Sequence, residues 1–275
     1  MTRVTFASGS AAETARVLHV LPEAVITDVT PFHPVDHTWP DQPGDTGTLS
    51  GSAVHNTVMA ARGEEGTWHL GSSIPVKRGT EGWEWAVAHV LDAAPVVTEG
   101  DAVQLEVDTE RRDALSAGHT ACHLASLALD AALAEFWSKE TRSDPLGNPD
   151  FESAANQTSF IELDGAADEY RMGKSLRKKG VDVAGIVEAL PTIADAVNAQ
   201  LADWVAADAP VRIEAEGDTI TDMRRWVCDL PEGSASLPCG GTHVTSTGQL
   251  GAVTVTLDAP DPQTLVMRTS VSRDR

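Results

Sequence analysis

The sequence predicts an α+β fold in two parts: a small N-terminal β-barrel over residues 1–105 and an α+β domain over residues 106–275. Three observations carry this. Up to about residue 105, short apolar runs alternate with Gly- and Pro-rich turns. From about Asp108 the apolar positions Leu115, Cys122, Leu129, Leu133 and Phe136 recur at helical spacing. Beyond residue 210, runs such as Val253-Thr254-Val255-Thr256-Leu257 return to strand character.

The strand-like runs of the first part are 25–29, 52–58 and 83–87, at a spacing that fits a small closed barrel. Residues 11–18 are expected as a short helix. Gly118 is expected to break the following helical region into a short helix and a longer one starting near His119. Residues 139–158, rich in Asp, Pro, Gly and Asn, read as a loop. A second helical pattern runs through Ile186, Leu190, Ile193, Val197, Leu201 and Val205. Pro191 lies within it and predicts a boundary or kink. Residues 211–214 read as a strand. There is no internal repeat and no low-complexity tract.

Two motifs carry chemistry. His119-Thr120-Ala121-Cys122-His123 sets two imidazoles four residues apart, on one face of a helix. Cys239-Gly240-Gly241-Thr242-His243 adds a thiol and a third imidazole on a loop that its glycines allow to turn tightly. Three imidazoles and one thiolate make a tetrahedral zinc set, so Zn2+ is the expected cofactor and His119, His123, Cys239 and His243 its expected ligands. Cys122 points about 60–100° away from each histidine, given the ~100° step of a helix, and reads as packing. Cys228 has no partner at ligand spacing and reads as structural. Two roles for the metal stay open. A closed four-ligand set is usually structural, whereas a set that exchanges one ligand for water is catalytic. Thr242, inside the second motif, either bonds substrate or caps the loop.

The chain carries 41 acidic against 20 basic residues, a net charge of −21. This disfavours a broad nucleic-acid surface, because phosphates need Lys and Arg. One basic cluster stands out: Arg171, Lys174, Arg177, Lys178 and Lys179, five basic residues within nine positions. Arg111-Arg112 and Arg224-Arg225 are further candidates. Three cysteines in 275 residues argue against a disulfide scaffold and for a reducing compartment. No signal pattern or membrane-length apolar run is seen, so a cytoplasmic protein with no membrane partner is expected. The oligomeric state is not legible. The seven tryptophans are expected mostly in core or barrel packing.

The two motifs resemble those of the editing domain of alanyl-tRNA synthetases and, more closely, of the free-standing alanyl-tRNA editing proteins. The resemblance extends to Thr30-Pro31-Phe32-His33-Pro34, to Gln42-Pro43-Gly44-Asp45-Thr46-Gly47, and to Asp108 with Arg111-Arg112. It covers roughly residues 25–60, 105–135 and 195–260. It departs at 35–41, where family members carry glycines before the glutamine, and at 139–182, which matches no family pattern.

The resemblance implies a barrel followed by a threonyl/alanyl-tRNA synthetase editing-like domain. It implies a zinc-dependent hydrolase that deacylates seryl- or glycyl-tRNA for alanine, with tRNA as partner. It further implies that Thr30 recognises the hydroxyl of a mischarged serine; Gln42, at a matching motif position, and Thr242 are the other candidate catalytic residues. Arg111, Arg112 and the 171–179 cluster are the expected tRNA-binding residues. Two alternatives accompany this reading. One is a related zinc hydrolase acting on another aminoacyl-tRNA or a small ester or amide. The other is a non-catalytic zinc-stabilised binding module.

Overall fold

A computed structural model describes residues 2–273. The chain is a mixed α+β protein with several sheets. It divides into two compact units: Met1–Asp113 with Ile213–Arg225 and Pro238–Thr242, and Ala114–Arg212 with Trp226–Leu237 and His243–Arg275.

The first unit holds β1 (Arg3–Val4), β2 (Ala12–Val20), β3 (Ala24–Thr27), β4 (Val29–Thr30), β5 (Gly47–Leu49), β6 (Ser52–Arg62), β7 (Trp68–Leu70), β8 (Glu84–Leu91) and β9 (Ala102–Val107). Strands β1 and β4 form a parallel pair. The main sheet runs β5-β9-β2-β3-β8-β6-β7, and β5 also pairs with β6. Six strands therefore close into a ring, with β7 paired outside it on β6. Alternation along the strands separates two faces. Val25 on β3 joins Val17, Leu49, Val103, Leu105 and Phe32 in one core. Its neighbours Ala24 and Ile26 join Ala60, Ala86 and Ala88 in another. Residues with period two are thus buried on both faces, which fixes the register of the ring.

Residues 11–18, expected as a helix, instead form most of β2, paired with β3 and β9. Ala, Glu and Arg favour helix locally, but Ala15 and Val17 alternate with exposed Thr14 and Arg16. Pairing on both edges overrides the propensity.

The other helices and strands are α1 (Thr109–Ala132), α2 (Phe151–Ala155), β10 (Asn156–Glu162), β11 (Gly165–Arg171), α3 (Lys174–Lys178), α4 (Val183–Glu188), α5 (Leu190–Ala206), β12 (Val211–Ala215), β13 (Arg224–Leu230), β14 (Gly233–Pro238), β15 (Ala252–Asp261) and β16 (Thr264–Ser272). Strands β12-β13-β14 form one sheet and β10-β11-β16-β15 another, the latter antiparallel throughout. Helix α5 buries Ile193, Val197, Leu201 and Trp204 along one stripe. Pro191 sits in its first turn, and α4 ends just before it at Glu188, as its lack of a backbone donor dictates. The loop expected over 139–158 ends early. Asp150 caps α2 by accepting from Ser153 N at 2.7 Å, and β10 follows at once.

Gly118 does not break α1, which runs unbroken for 24 residues. A Cβ there would lie 2.4 Å from Gly165 O and 2.6 Å from Glu162 O. The glycine exists so that the β10–β11 turn can approach the helix backbone. This gives a test of sign. Helix propensity alone predicts that Gly118→Ala gains about 1 kcal/mol. Crowding against those carbonyls predicts a net loss of about 1–3 kcal/mol, read from denaturant midpoints.

The second unit also buries carboxyls. Asp130 is 1% exposed and accepts Phe151 N at 2.9 Å and Glu152 N at 3.0 Å. Burial, reinforced by the charges of Asp150, Asp144 and Glu152, pushes its carboxyl up to about 9. Burial, with Asp168 beside it, pushes Glu152 up to about 7. Both folded values lie above the unfolded ones, so the fold favours the protonated forms. That contribution is complete below the ordinary values of 3.8 and 4.5 and is lost progressively as pH rises toward 9. Urea midpoints should therefore fall between pH 5 and pH 9. A flat or rising profile would count against this cluster as the source of pH dependence.

Candidate metal centre

Helix α1 supplies the frame. His119 and His123, one turn apart, stand with ring centroids 4.8 Å from each other. His243 lies 4.4 Å from the first ring and 5.2 Å from the second. The ligand atoms of His119, His123, Cys239 and His243 all fall within 4.8 Å of one another. The spacing read in the sequence thus converges in space.

Surrounding groups set the protonation of these ligands. Thr120 Oγ1 donates to Ser116 O at 2.8 Å, leaving its lone pairs to accept from Val244 N and from His243 Nδ1, both at 3.2 Å. This assigns the Nδ1–H tautomer to His243 and leaves Nε2 as its lone-pair nitrogen. His123 packs 5.0 Å from the Trp226 ring, and burial pushes its imidazole down to about 4. It is therefore neutral at pH 7. Burial, with Asp41 nearby, pushes the Cys239 thiol up to about 12, against the opposing Gly241 N–H 3.4 Å from Sγ. A bound cation inverts that preference and holds the thiolate.

The donor set fits zinc on one specific observation. His123 Nε2 is buried and has no hydrogen-bond partner. Such a nitrogen is costly to bury unless something satisfies it, and a metal does so directly.

In the first unit, the Cys239–Thr242 loop is clasped by one side chain. Gln42 Nε2 donates to Thr242 Oγ1 at 2.8 Å, and Thr242 N donates to Gln42 Oε1 at 3.0 Å. Both residues are buried. Cys239 N donates to Arg224 O at 3.1 Å. Gly44, within the same motif as Gln42, allows a backbone approach that a side chain forbids: a Cβ there would lie 2.1 Å from Thr57 O.

Thr30 is fully buried on β4. Its Oγ1 lies 2.7 Å from His89 Nε2 and accepts from Phe32 N at 3.0 Å. His89 Nδ1 donates to Val25 O at 3.0 Å, and burial pushes the ring down to about 4. His89 Nε2 is therefore an acceptor, and the Thr30 proton goes to it. With its proton committed there, the Thr30 oxygen acts toward its other neighbours as an acceptor.

Arg111 Nη1 donates to Gly44 O at 2.8 Å. Arg112 is 7% exposed and ion-paired with Asp45, itself 1% exposed. Its Nε reaches Asp45 Oδ2 at 3.1 Å, its Nη1 reaches Ser10 O at 2.8 Å, and its Nη2 bonds Pro31 O and Asp45. Asp45 Oδ2 also accepts from His33 N. Arg112 thus ties three segments of its own unit together. Arg171, Lys174, Arg177, Lys178 and Lys179 are all exposed, at the end of β11 and along α3. Cys122 points to Asp168, with Sγ at 3.5 Å from Oδ1, in the packing role that its helical angle gave it. Cys228 is buried.

Sequence reading missed Thr120, His89 and Trp226. Thr120 lay inside the first motif, and its hydroxyl was a signal. His89 and Trp226 sit on strands with no ligand spacing, so only the fold reveals them.

No family model matches the chain. Individual proteins do. The chain is 26% identical over 239 residues to the alanyl-tRNA editing protein AlaX-M of Pyrococcus horikoshii, covering 86% of this chain and 82% of that one. The chain resembles the alanyl-tRNA editing proteins. It is also 27% identical over 231 residues to the alanine–tRNA ligase of Ruegeria pomeroyi, and 28% identical over 235 residues to that of Akkermansia muciniphila. In each case 82% of this chain is covered, but it spans only 23% and 21% of those ligases. The likeness therefore extends over most of the editing protein and over a segment of each ligase. Among the described residues, no helix is long and apolar enough to cross a membrane.

Proposed function

We propose that this protein is a zinc-dependent hydrolase that deacylates tRNA for alanine mischarged with serine or glycine. The observation that carries the proposal is the convergence of His119, His123, His243 and Cys239, with the buried lone pair of His123 among them. The likeness to AlaX-M supports the substrate class. Water adds to the ester carbonyl of the aminoacyl group. The carbonyl–oxygen bond to the terminal ribose then breaks, and the ribose hydroxyl takes the proton. Zinc supplies a Lewis acid able to lower the pKa of water or polarise a carbonyl.

The chain's own residues orient and discriminate. Thr120 holds the His243 tautomer. The Gln42–Thr242 clasp fixes the loop that carries Cys239, so both act as positioning residues. Thr30, with its proton committed to His89, accepts a hydrogen bond from a serine hydroxyl and has nothing to accept from alanine. The ring of six strands serves as the barrel of the editing architecture, with the metal-binding part following residue 105. The protein works in the cytoplasm.

The exposed 171–179 cluster docks the tRNA backbone, since the net charge elsewhere opposes it. Neutralising these five residues should weaken tRNA binding and lower the salt slope by about 1 for each phosphate left without its cation. Thr30→Val should leave tRNA affinity nearly intact and reduce the preference for seryl over alanyl esters. An unchanged preference would remove Thr30 from the recognition role.

The net charge of −21 favours a second reading, in which the same centre hydrolyses a small ester or amide. Assay of purified mischarged tRNAs beside simple amino-acid esters, with and without a zinc chelator, separates the two. Chelator-sensitive hydrolysis confined to simple esters would select the second.

A further inference from the structure

We propose that Trp39 and Arg78 form a docking platform for the 3′-terminal nucleotide of the RNA, its base stacking on the indole and its phosphate meeting the guanidinium. The proposal rests on the aminoacyl-tRNA reading. The scissile ester sits on the terminal ribose, so the base and phosphate of that nucleotide must lie within one nucleotide's reach of the reacting atoms.

The observations lie within the first unit. Trp39 is 48% exposed, whereas the other six tryptophans are buried or half-buried. An exposed indole offers a large, rigid face on which a base can stack. The loop that presents it is held in place. Asp36 Oδ1 accepts from Thr38 N at 2.7 Å, Thr38 Oγ1 at 2.6 Å and Trp39 N at 3.2 Å. Asp41 N donates to Trp39 O at 2.9 Å.

The second oxygen of Asp36 accepts from Arg78 Nη1 at 2.9 Å. One carboxylate therefore anchors both the aromatic and the cation. Asp36 takes one of the five guanidinium donors and leaves the others to meet an anion.

The platform adjoins the metal loop. A Cβ on Gly240, the residue after Cys239, would lie 3.8 Å from Arg78 Nη1. The charge of Arg78 is also felt by Arg224, whose backbone carbonyl accepts from Cys239 N. Arg78 thus stands beside this loop in a strongly acidic chain. An aromatic face with an adjacent arginine is the pair that holds an unpaired nucleotide without reading its sequence.

The test measures two quantities on full-length protein: affinity for a short fluorescent single-stranded RNA matching a tRNA acceptor end, and deacylation of seryl-tRNA for alanine. Trp39→Ala should weaken RNA affinity by roughly 10- to 100-fold. The loss in deacylation should fall on KM rather than kcat, and Trp39→Tyr should restore most of it. Arg78→Gln should lower the salt slope of binding by about 1. Because Trp39 is exposed, the melting temperature of its variants should match the wild type, which separates a docking defect from a folding defect. Wild-type affinity and KM in both variants would overturn the platform while leaving the editing reading intact. RNA binding that depends on Trp39 without any deacylation would support the platform and overturn the hydrolase reading. A wild type that neither binds the RNA nor deacylates would overturn both.

Discussion

Arg112→Ala is expected to destabilise the first unit by about 3–5 kcal/mol, the loss that follows when one partner of a buried ion pair is removed. The pair is well inside: Asp45 is 1% exposed and Arg112 7%. Arg112 also bonds the carbonyls of Ser10 and Pro31, so alanine leaves a charged carboxylate and two carbonyls without their donor. A loss of this size is a large part of the 5–15 kcal/mol typical of a folded domain. Thermal and urea unfolding should both register it. Arg112→Lys should recover little, because an ammonium cannot reach three partners in fork geometry. A variant within about 0.5 kcal/mol of wild type would show that the pair is not what holds residues 31, 45 and 112 together.

The second large effect concerns the metal. Purified wild-type protein should carry about one zinc per chain, and His119→Ala combined with Cys239→Ala should carry essentially none. Deacylation should fall by at least about 100-fold, since zinc contributes several kcal/mol to such chemistry. His123→Ala tests the same centre from its orphaned nitrogen and should also lower zinc content. Full zinc stoichiometry in the double variant would refute the ligand assignment, whatever the activity.

Much of the site was legible because its signals are local. His119 and His123 share a helical face and Cys239 and His243 a short glycine loop, so ligand type and spacing in two motifs, with the family residues around them, pointed to the four. Gln42 and Thr242 stood in motifs, but their reciprocal hydrogen bonds join positions two hundred residues apart, which no window of sequence shows.

The fold was legible where the hydrophobic period was strong. Helix α5 and its Pro191 boundary followed the sequence directly. Two misreadings have one cause, tertiary context overriding local propensity. Residues 11–18 are rich in helix formers but are paired on both edges as β2. Gly118 weakens a helix in isolation, yet here it admits the carbonyls of Glu162 and Gly165. Arg112, with Arg111, was expected among the tRNA-binding residues as a second basic pair beside the 171–179 cluster. Its burial and its three internal partners emerge only in three dimensions.

The most direct measurement is single-turnover deacylation of tRNA for alanine charged with serine, compared with the same tRNA charged with alanine. Zinc-loaded protein should release serine at a rate well above spontaneous hydrolysis and leave alanyl-tRNA nearly untouched, and Thr30→Val should narrow that gap. Equal rates on both esters, or no release above background from either, would contradict the account.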